Sequence, residues 1–231
     1  MARQPRQIVA DYPYHVMQRG HDRRAVFHDS VDRTHYLQWL REAALECRLV
    51  VHAYVLMDNH VHLLVTPGQP RAISQVMQAL GRRYVPWFNR RHGRSGTLWE
   101  GRFRASLVDA DSYFLACQRY IEANPVRAGM VQTAADWPWS SHRHYRGWSF
   151  DPLVTPHSRI WALGNTPFER EAAYPGLLEQ VPTEGTWEHL RKGLSSGRPW
   201  VTEQTMAQLS LQEQERWLRR PRGRPAKNAS K

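Results

Sequence analysis

A chain of 231 residues is long enough to bury a full core, and a hydrophobic share of 41% with 10 Trp excludes a disordered polymer. Thirty-two Lys and Arg against 21 Asp and Glu leave a net charge of +11, which points to a polyanionic partner, nucleic acid first, although ribosome-associated and membrane-surface proteins share that signature. No run of about 18 apolar residues spans a bilayer, no apolar stretch follows the basic N-terminus to direct export, and two lone thiols, Cys47 and Cys117, build neither a disulfide framework nor a zinc site, so a reducing cytoplasm is expected.

Tyr14 to Arg19 (YHVMQR) reads as a short strand, ended by Gly20 and the polar run HDRR. From Ser30 to Arg48 the apolar residues Val31, Tyr36, Leu37, Leu40, Ala44 and Leu45 follow helical spacing, with Ser30 as the expected cap. Leu49 to Met57 and Val61 to Thr66 are apolar and β-branched, and Asp58-Asn59 between them predicts a hairpin. Ala72 to Arg91 repeats apolar residues at helical intervals through Ile73, Val76, Met77, Leu80, Tyr84 and Phe88, and Pro86 is expected to kink or interrupt it. Phe103 to Val108 reads as a fourth strand. A helix capped at Asp111 or Ser112 then runs to about Glu122 or Asn124 and stops at Pro125.

That order predicts an α+β, ferredoxin-like (RRM-like) sandwich, a four-stranded antiparallel sheet with helices on one face. Residues 1–150 form the main domain, 151–215 a mainly helical extension, and 216–231 a basic, disordered tail.

With two unrelated thiols, a metal site here must use imidazole and oxygen ligands. His60 and His62 are two apart on a strand and share a face, with Val61 turned to the other side. Two same-side imidazoles begin a divalent-cation site, although a bare His-x-His also describes two solvent-facing histidines. Tyr120 and Asn124 are four apart in a helical stretch and share a helix face. By chemistry alone they are a nucleophilic phenol and an amide-oxygen ligand for Mg²⁺ or Mn²⁺, or a buried tyrosine and a helix-terminal Asn. Tyr113, seven residues earlier, lies on nearly the same face.

Seven arginines (Arg82, Arg83, Arg90, Arg91, Arg94, Arg102 and Arg104) face one acid, Glu100, between residues 82 and 104. Trp87, Phe88 and Trp99 are interleaved with them and are read either as platforms for unpaired bases or as core. Arg19, His21, Arg23 and Arg24 form a second basic patch. The tail carries Arg222 and Arg224 in an Arg-Gly-Arg-Pro core resembling an AT-hook, suited to a narrow minor groove.

The segments YHVMQRG, YVLMDNHVHLLV, LWEGRFRASLVD and RYIEANPVRAGMV together resemble the REP-associated tyrosine transposases, single-tyrosine members of the HUH endonuclease superfamily, over roughly residues 8–150. The resemblance implies His60 and His62 as paired metal ligands, Asn124 as the third ligand and Tyr120 as the nucleophile. It also implies single-stranded DNA beside a hairpin as substrate, Mg²⁺ or Mn²⁺ as cofactor, and a monomer or homodimer. Relatives often carry His two residues after the tyrosine. This chain has Glu122, to which no role is assigned. Two other readings stand beside it: a catalytically silent nucleic-acid-binding protein, and a zinc hydrolase built on His60, His62 and Asp58.

Overall fold

The computed structural model describes residues 8–179, 184–211 and 214. Four strands, β1 (Tyr14–Arg19), β2 (Leu49–Leu56), β3 (His60–Pro67) and β4 (Arg104–Leu107), form one sheet in the order β2-β3-β1-β4. Every pairing within it is antiparallel. This is the expected ferredoxin-like arrangement, closed by crossover helices α1 (Ser30–Glu46) and α2 (Ala72–Arg91).

Strand alternation divides the sheet between two cores. Tyr14, Val16, Val61, Leu63 and Val65 face α1 and α2, where Tyr36, Leu40, Ile73, Val76, Tyr84 and Phe88 complete the main core. The opposite face carries a second core, in which Ala53, Val55, Met57 and Leu64 meet Phe114, Cys117, Tyr120 and Ile121 of α3 (Phe114–Glu122). α4 (Asn124–Arg127) and α5 (His142–Tyr145) follow α3 within residues 1–150, and the extension adds α6 (Ser158–Trp161), α7 (Pro167–Glu179), α8 (Glu184–Ser196) and α9 (Glu203–Gln208). Of these, α8 packs on β4 and β1 beside α3. Helices therefore cover both faces, and the one-face expectation holds only for the two crossovers.

Local signals were displaced by a residue or two. Asp29, not Ser30, caps α1, its carboxylate accepting from the Asp32 N–H at 3.1 Å. Asp109, not Asp111 or Ser112, serves the start of α3: its Oδ1 accepts the Asp111 and Ser112 N–H groups at 2.9 and 2.8 Å. The same carboxylate receives Thr202, so it ties the extension to the tyrosine helix. Helix α2 runs unbroken through Pro86, which is exposed, so the carbonyl released one turn earlier faces water. Pro125 likewise does not end helical structure but sits in the first turn of the short α4, where its missing N–H costs nothing. Gly20, after β1, is required sterically: a Cβ there would stand 2.2 Å from the Arg24 carbonyl oxygen.

A candidate active site between the sheet and the tyrosine helix

β1 and β3 pair so that Met17 faces His62 and Arg19 faces His60. Alternation then puts His15, His60 and His62 on the face covered by α3 and α8. His62 is 3% exposed and His15 fully buried. Their rings are joined by a 2.7 Å contact between His15 Nε2 and His62 Nδ1. The His60 and His62 rings stand edge-on with centroids 5.0 Å apart. Val61 is buried on the opposite face, as expected.

Tyr120 descends onto this pair from α3. Its ring centroid lies 5.5 Å from His15 and 5.7 Å from His62, both edge-on. The structure thus brings His60, His62 and Tyr120 together across more than 50 residues of sequence. Tyr113 does not join them, for its ring is stacked on Trp200 at 4.1 Å. Asn124 opens α4 rather than closing α3, and its amide nitrogen donates to the Tyr120 carbonyl at 2.7 Å.

Burial sets the protonation of the cluster. It lowers His60 to about 4 and His15 to about 3, and holds His62 well below the usual imidazole range, with the neighbouring His15 and His60 adding to the effect. All three rings are therefore neutral at physiological pH, the form in which imidazole binds a cation. His60 Nδ1 is held at 2.6 Å by the Asn59 amide oxygen, which accepts its proton and leaves the Nε2 lone pair. The tautomer in which His62 Nδ1 donates to His15 Nε2 would do the same for His62, with His15 as an orienting partner of the kind that fixes metal-binding imidazoles. Two neutral imidazoles and the Asn124 amide oxygen, which has no hydrogen bond among the described residues, suit a hard or borderline dication.

Burial raises the Tyr120 phenol above its ordinary range, and the charge and hydrogen bond of Arg127, with the charge of Arg191, pull against that rise. The Arg127 guanidinium lies 5.1 Å from the Tyr120 ring centroid and 4.7 Å from that of Trp187. Trp187, on α8, is itself 5.3 Å from Tyr120. Sequence reading missed His15, Arg127 and Trp187. The paired segments YHVM and HVHL hinted at the first, and the seven-residue spacing from Tyr120 marks Arg127, while nothing local marks Trp187.

Glu122 faces neither the site nor solvent. It is fully buried and accepts from Ser141 Oγ at 2.6 Å and the Tyr174 hydroxyl at 2.8 Å, with His142 Nδ1 at 3.1 Å. It thereby bolts α3 to α5 and α7. Glu122→Ala leaves three buried partners unsatisfied and is expected to cost about 3–5 kcal/mol in denaturant unfolding. Glu122→Gln, which still accepts from two of them, is expected to cost less.

The basic loop divides. Arg91 is bound to Asp29 and Asp32, Arg83 to Glu42 at 2.6 Å, and Arg19 to Glu100 at 2.6 Å. Arg23, Arg24, Arg82, Arg90 and Arg104 are exposed with no carboxylate partner among the described residues, Arg94 leans on Phe88, and Arg102 is exposed. Phe88 and Trp99 lie in the core, and Trp87 is half-buried against Trp39 and Tyr84, so these aromatics are packing rather than base platforms. His21 is exposed beside Asp22. Arg222 and Arg224 lie outside the described residues.

Among the described residues, His28, Asp32 and His92 form the one set of three His, Cys, Asp or Glu side chains whose ligating atoms all lie within 4.8 Å. That set joins the start of α1 to the end of α2, on the other face of the sheet from Tyr120, and Arg91 already neutralises Asp32. Asp58, the acid of the hydrolase reading, is engaged by Arg33. No helix among the described residues is long and apolar enough to cross a membrane.

Residues 8–124 match the family model described as "Transposase IS200 like". Among solved structures the chain is similar to a REP-associated tyrosine transposase bound to a REP hairpin, with TM-score 0.52 and 17% identity over 68% of this chain and 92% of that one. It also matches a putative transposase from Deinococcus radiodurans, with TM-score 0.37 and 27% identity over 52% of this chain and 96% of that one. No curated protein matches.

Proposed function

This chain belongs to the IS200-like transposase family, and on that premise we propose that it is a metal-dependent single-strand DNA endonuclease and strand transferase with Tyr120 as its nucleophile. The observation that carries the reading is the meeting of the Tyr120 ring with His15 and His62 at 5.5 and 5.7 Å.

In the reaction the phenol oxygen bonds to phosphorus while the phosphorus–O3′ bond breaks, its electron pair leaving with O3′. The products are a 5′-phosphotyrosine and a free 3′-hydroxyl. Because the ester is retained, a second DNA 3′-hydroxyl reverses the step without ATP. His60, His62 and Asn124 would hold Mg²⁺ or Mn²⁺, which supplies charge neutralisation to the phosphate oxygens. The chain's own residues do the rest. α3 holds the phenol against the sheet, Glu122 anchors that helix from behind, and the His15 ring fixes His62.

The substrate we assign is single-stranded DNA beside a hairpin, in keeping with the REP hairpin carried by the transposase of similar fold. Arg23, Arg24, Arg82, Arg90, Arg94 and Arg104 are arginines open to its backbone, and Arg102 lies exposed among them. A labelled hairpin with a single-stranded flank, incubated with Mg²⁺ or Mn²⁺, is expected to give a protein–DNA adduct that survives denaturing electrophoresis. EDTA and His62→Ala each remove it. No adduct with either ion, across a panel of flanks, would end the proposal.

A further inference from the structure

The family match ends at residue 124, yet the surroundings of Tyr120 do not. Arg127 on α4 and Trp187 on α8 lie against the phenol ring, and Arg191, one turn beyond Trp187 on α8, is near enough for its charge to act on it. Both arginines are exposed, and no carboxylate is paired with either among the described residues. The nearest acid to Arg191 on its helix, Glu188, is bonded to Lys192 at 2.8 Å. α8 is held in place independently of any ligand: it packs on β4 and β1, Leu190 and Leu194 are buried, and Gly193 approaches Ser106 so closely that a Cβ would stand 3.2 Å from its hydroxyl.

Two guanidinium groups with no carboxylate partner among the described residues and a half-buried indole beside one phenol make an anion site with an aromatic wall. Arginine suits phosphate through its planar fork of donors, and an indole face suits an unpaired base of any sequence. Arg127 lies over both rings at once, so contact with the Tyr120 and Trp187 faces holds its guanidinium beside the phenol.

We propose that Arg127, Arg191 and Trp187 form a clamp for one phosphate and one adjoining unpaired base of single-stranded DNA, so that the C-terminal extension is part of the active site. The clamp deepens the transposase reading by naming what holds the strand at Tyr120. It predicts that α8 sets how the nucleotide at the scissile phosphate is presented, whereas the arginines of residues 82–104 track the backbone farther away.

The test separates binding from chemistry. Tyr120→Phe protein, which keeps its DNA intact, is titrated with a fluorescein-labelled single-stranded oligonucleotide at several NaCl concentrations. Adding Arg127→Ala or Arg191→Ala is expected to weaken binding about tenfold at low salt and to lower the slope of log K against log [salt] by about 0.7 for each arginine. Arg127→Lys keeps the slope but not the full affinity, because its charge remains and its fork does not. Trp187→Phe removes part of the tryptophan quenching seen on DNA addition. Arg41→Ala, an exposed arginine of α1 on the opposite layer, changes the slope far less. Slopes unchanged in both clamp variants, or lowered equally by Arg41→Ala, overturn the clamp, even where the wild type forms its adduct. Lowered slopes in the clamp variants, beside a wild type that forms no adduct, keep the clamp and overturn the cleavage reading.

Discussion

Tyr120→Phe is expected to form no covalent DNA adduct while binding the same hairpin with near-wild-type affinity, and Tyr113→Phe is expected to retain the adduct. The two phenols share a helix face by spacing, so the distinction comes from packing. Tyr113 is stacked on Trp200 at an interplanar angle of 8°, at the edge of the second core. Tyr120 stands over the histidines of β1 and β3. Phenylalanine keeps the ring, the T-shaped contacts and the packing under Trp187, and deletes one oxygen, so the fold has no reason to change. Loss of that oxygen removes the attacking atom and not merely a transition-state contact, so the effect on adduct formation is complete rather than graded. Single-turnover adduct yield measured beside binding anisotropy reads both quantities. An adduct that persists in Tyr120→Phe and disappears in Tyr113→Phe would move the nucleophile to the other phenol and require α3 to rotate away from His62.

The strands were legible because their signals are local. β-Branched runs bounded by Asp58-Asn59 and Pro67-Gly68 specify β2 and β3, and the HVH alternation puts both imidazoles on the face opposite Val61. Helix ends were less legible because neighbouring side chains compete for the same N–H groups, as Asp29 does with Ser30 and Asp109 with Asp111. The site was legible only as far as its motifs extend. His15 sits in a strand where alternation suggests core as readily as chemistry, and its meaning depends on a partner 47 residues away. Arg127 reaches Tyr120 from α4, seven residues on and so on nearly the same helical face, whereas Trp187 reaches it through the arrival of α8 on the sheet, a long-range packing event with no periodic signature. The aromatics of the basic loop went the other way: interleaving with arginine is equally compatible with a helix whose apolar face is core, and Phe88 and Trp99 are core.

Acid is expected to unfold the metal-free protein at a pH above 4, because buried histidines accept protons on unfolding. Burial holds His15 at about 3 and both His52 and His60 at about 4 in the native state, against roughly 6.5 in the unfolded chain. His52 shows why the native form stays neutral: it is buried, with its ring nitrogens 2.8 Å from the Thr155 carbonyl and 2.9 Å from the Thr66 hydroxyl. Between pH 6.5 and 4 the unfolded chain carries these protons and the folded one does not, so the unfolded state binds more protons and stability falls as pH falls. The contribution is complete above pH 6.5. Each histidine then removes about 1.4 kcal/mol per pH unit, so three together approach ~4 kcal/mol per unit. Against the ~5–15 kcal/mol that domains possess, that slope brings the midpoint of acid unfolding above pH 4. Urea titrations at pH 7, 6 and 5 measure it. His52→Gln, in a residue remote from Tyr120, should flatten the slope by about 1.4 kcal/mol per pH unit and leave stabilisation by added Mn²⁺ unchanged. Mn²⁺ itself should stabilise most at pH 7 and progressively less toward pH 5, since protons and the cation compete for His60 and His62. A urea midpoint that stays constant from pH 7 to 5 would mean that the native protein accepts these protons, and that the neutral imidazoles on which the cation site depends are not held neutral by the fold.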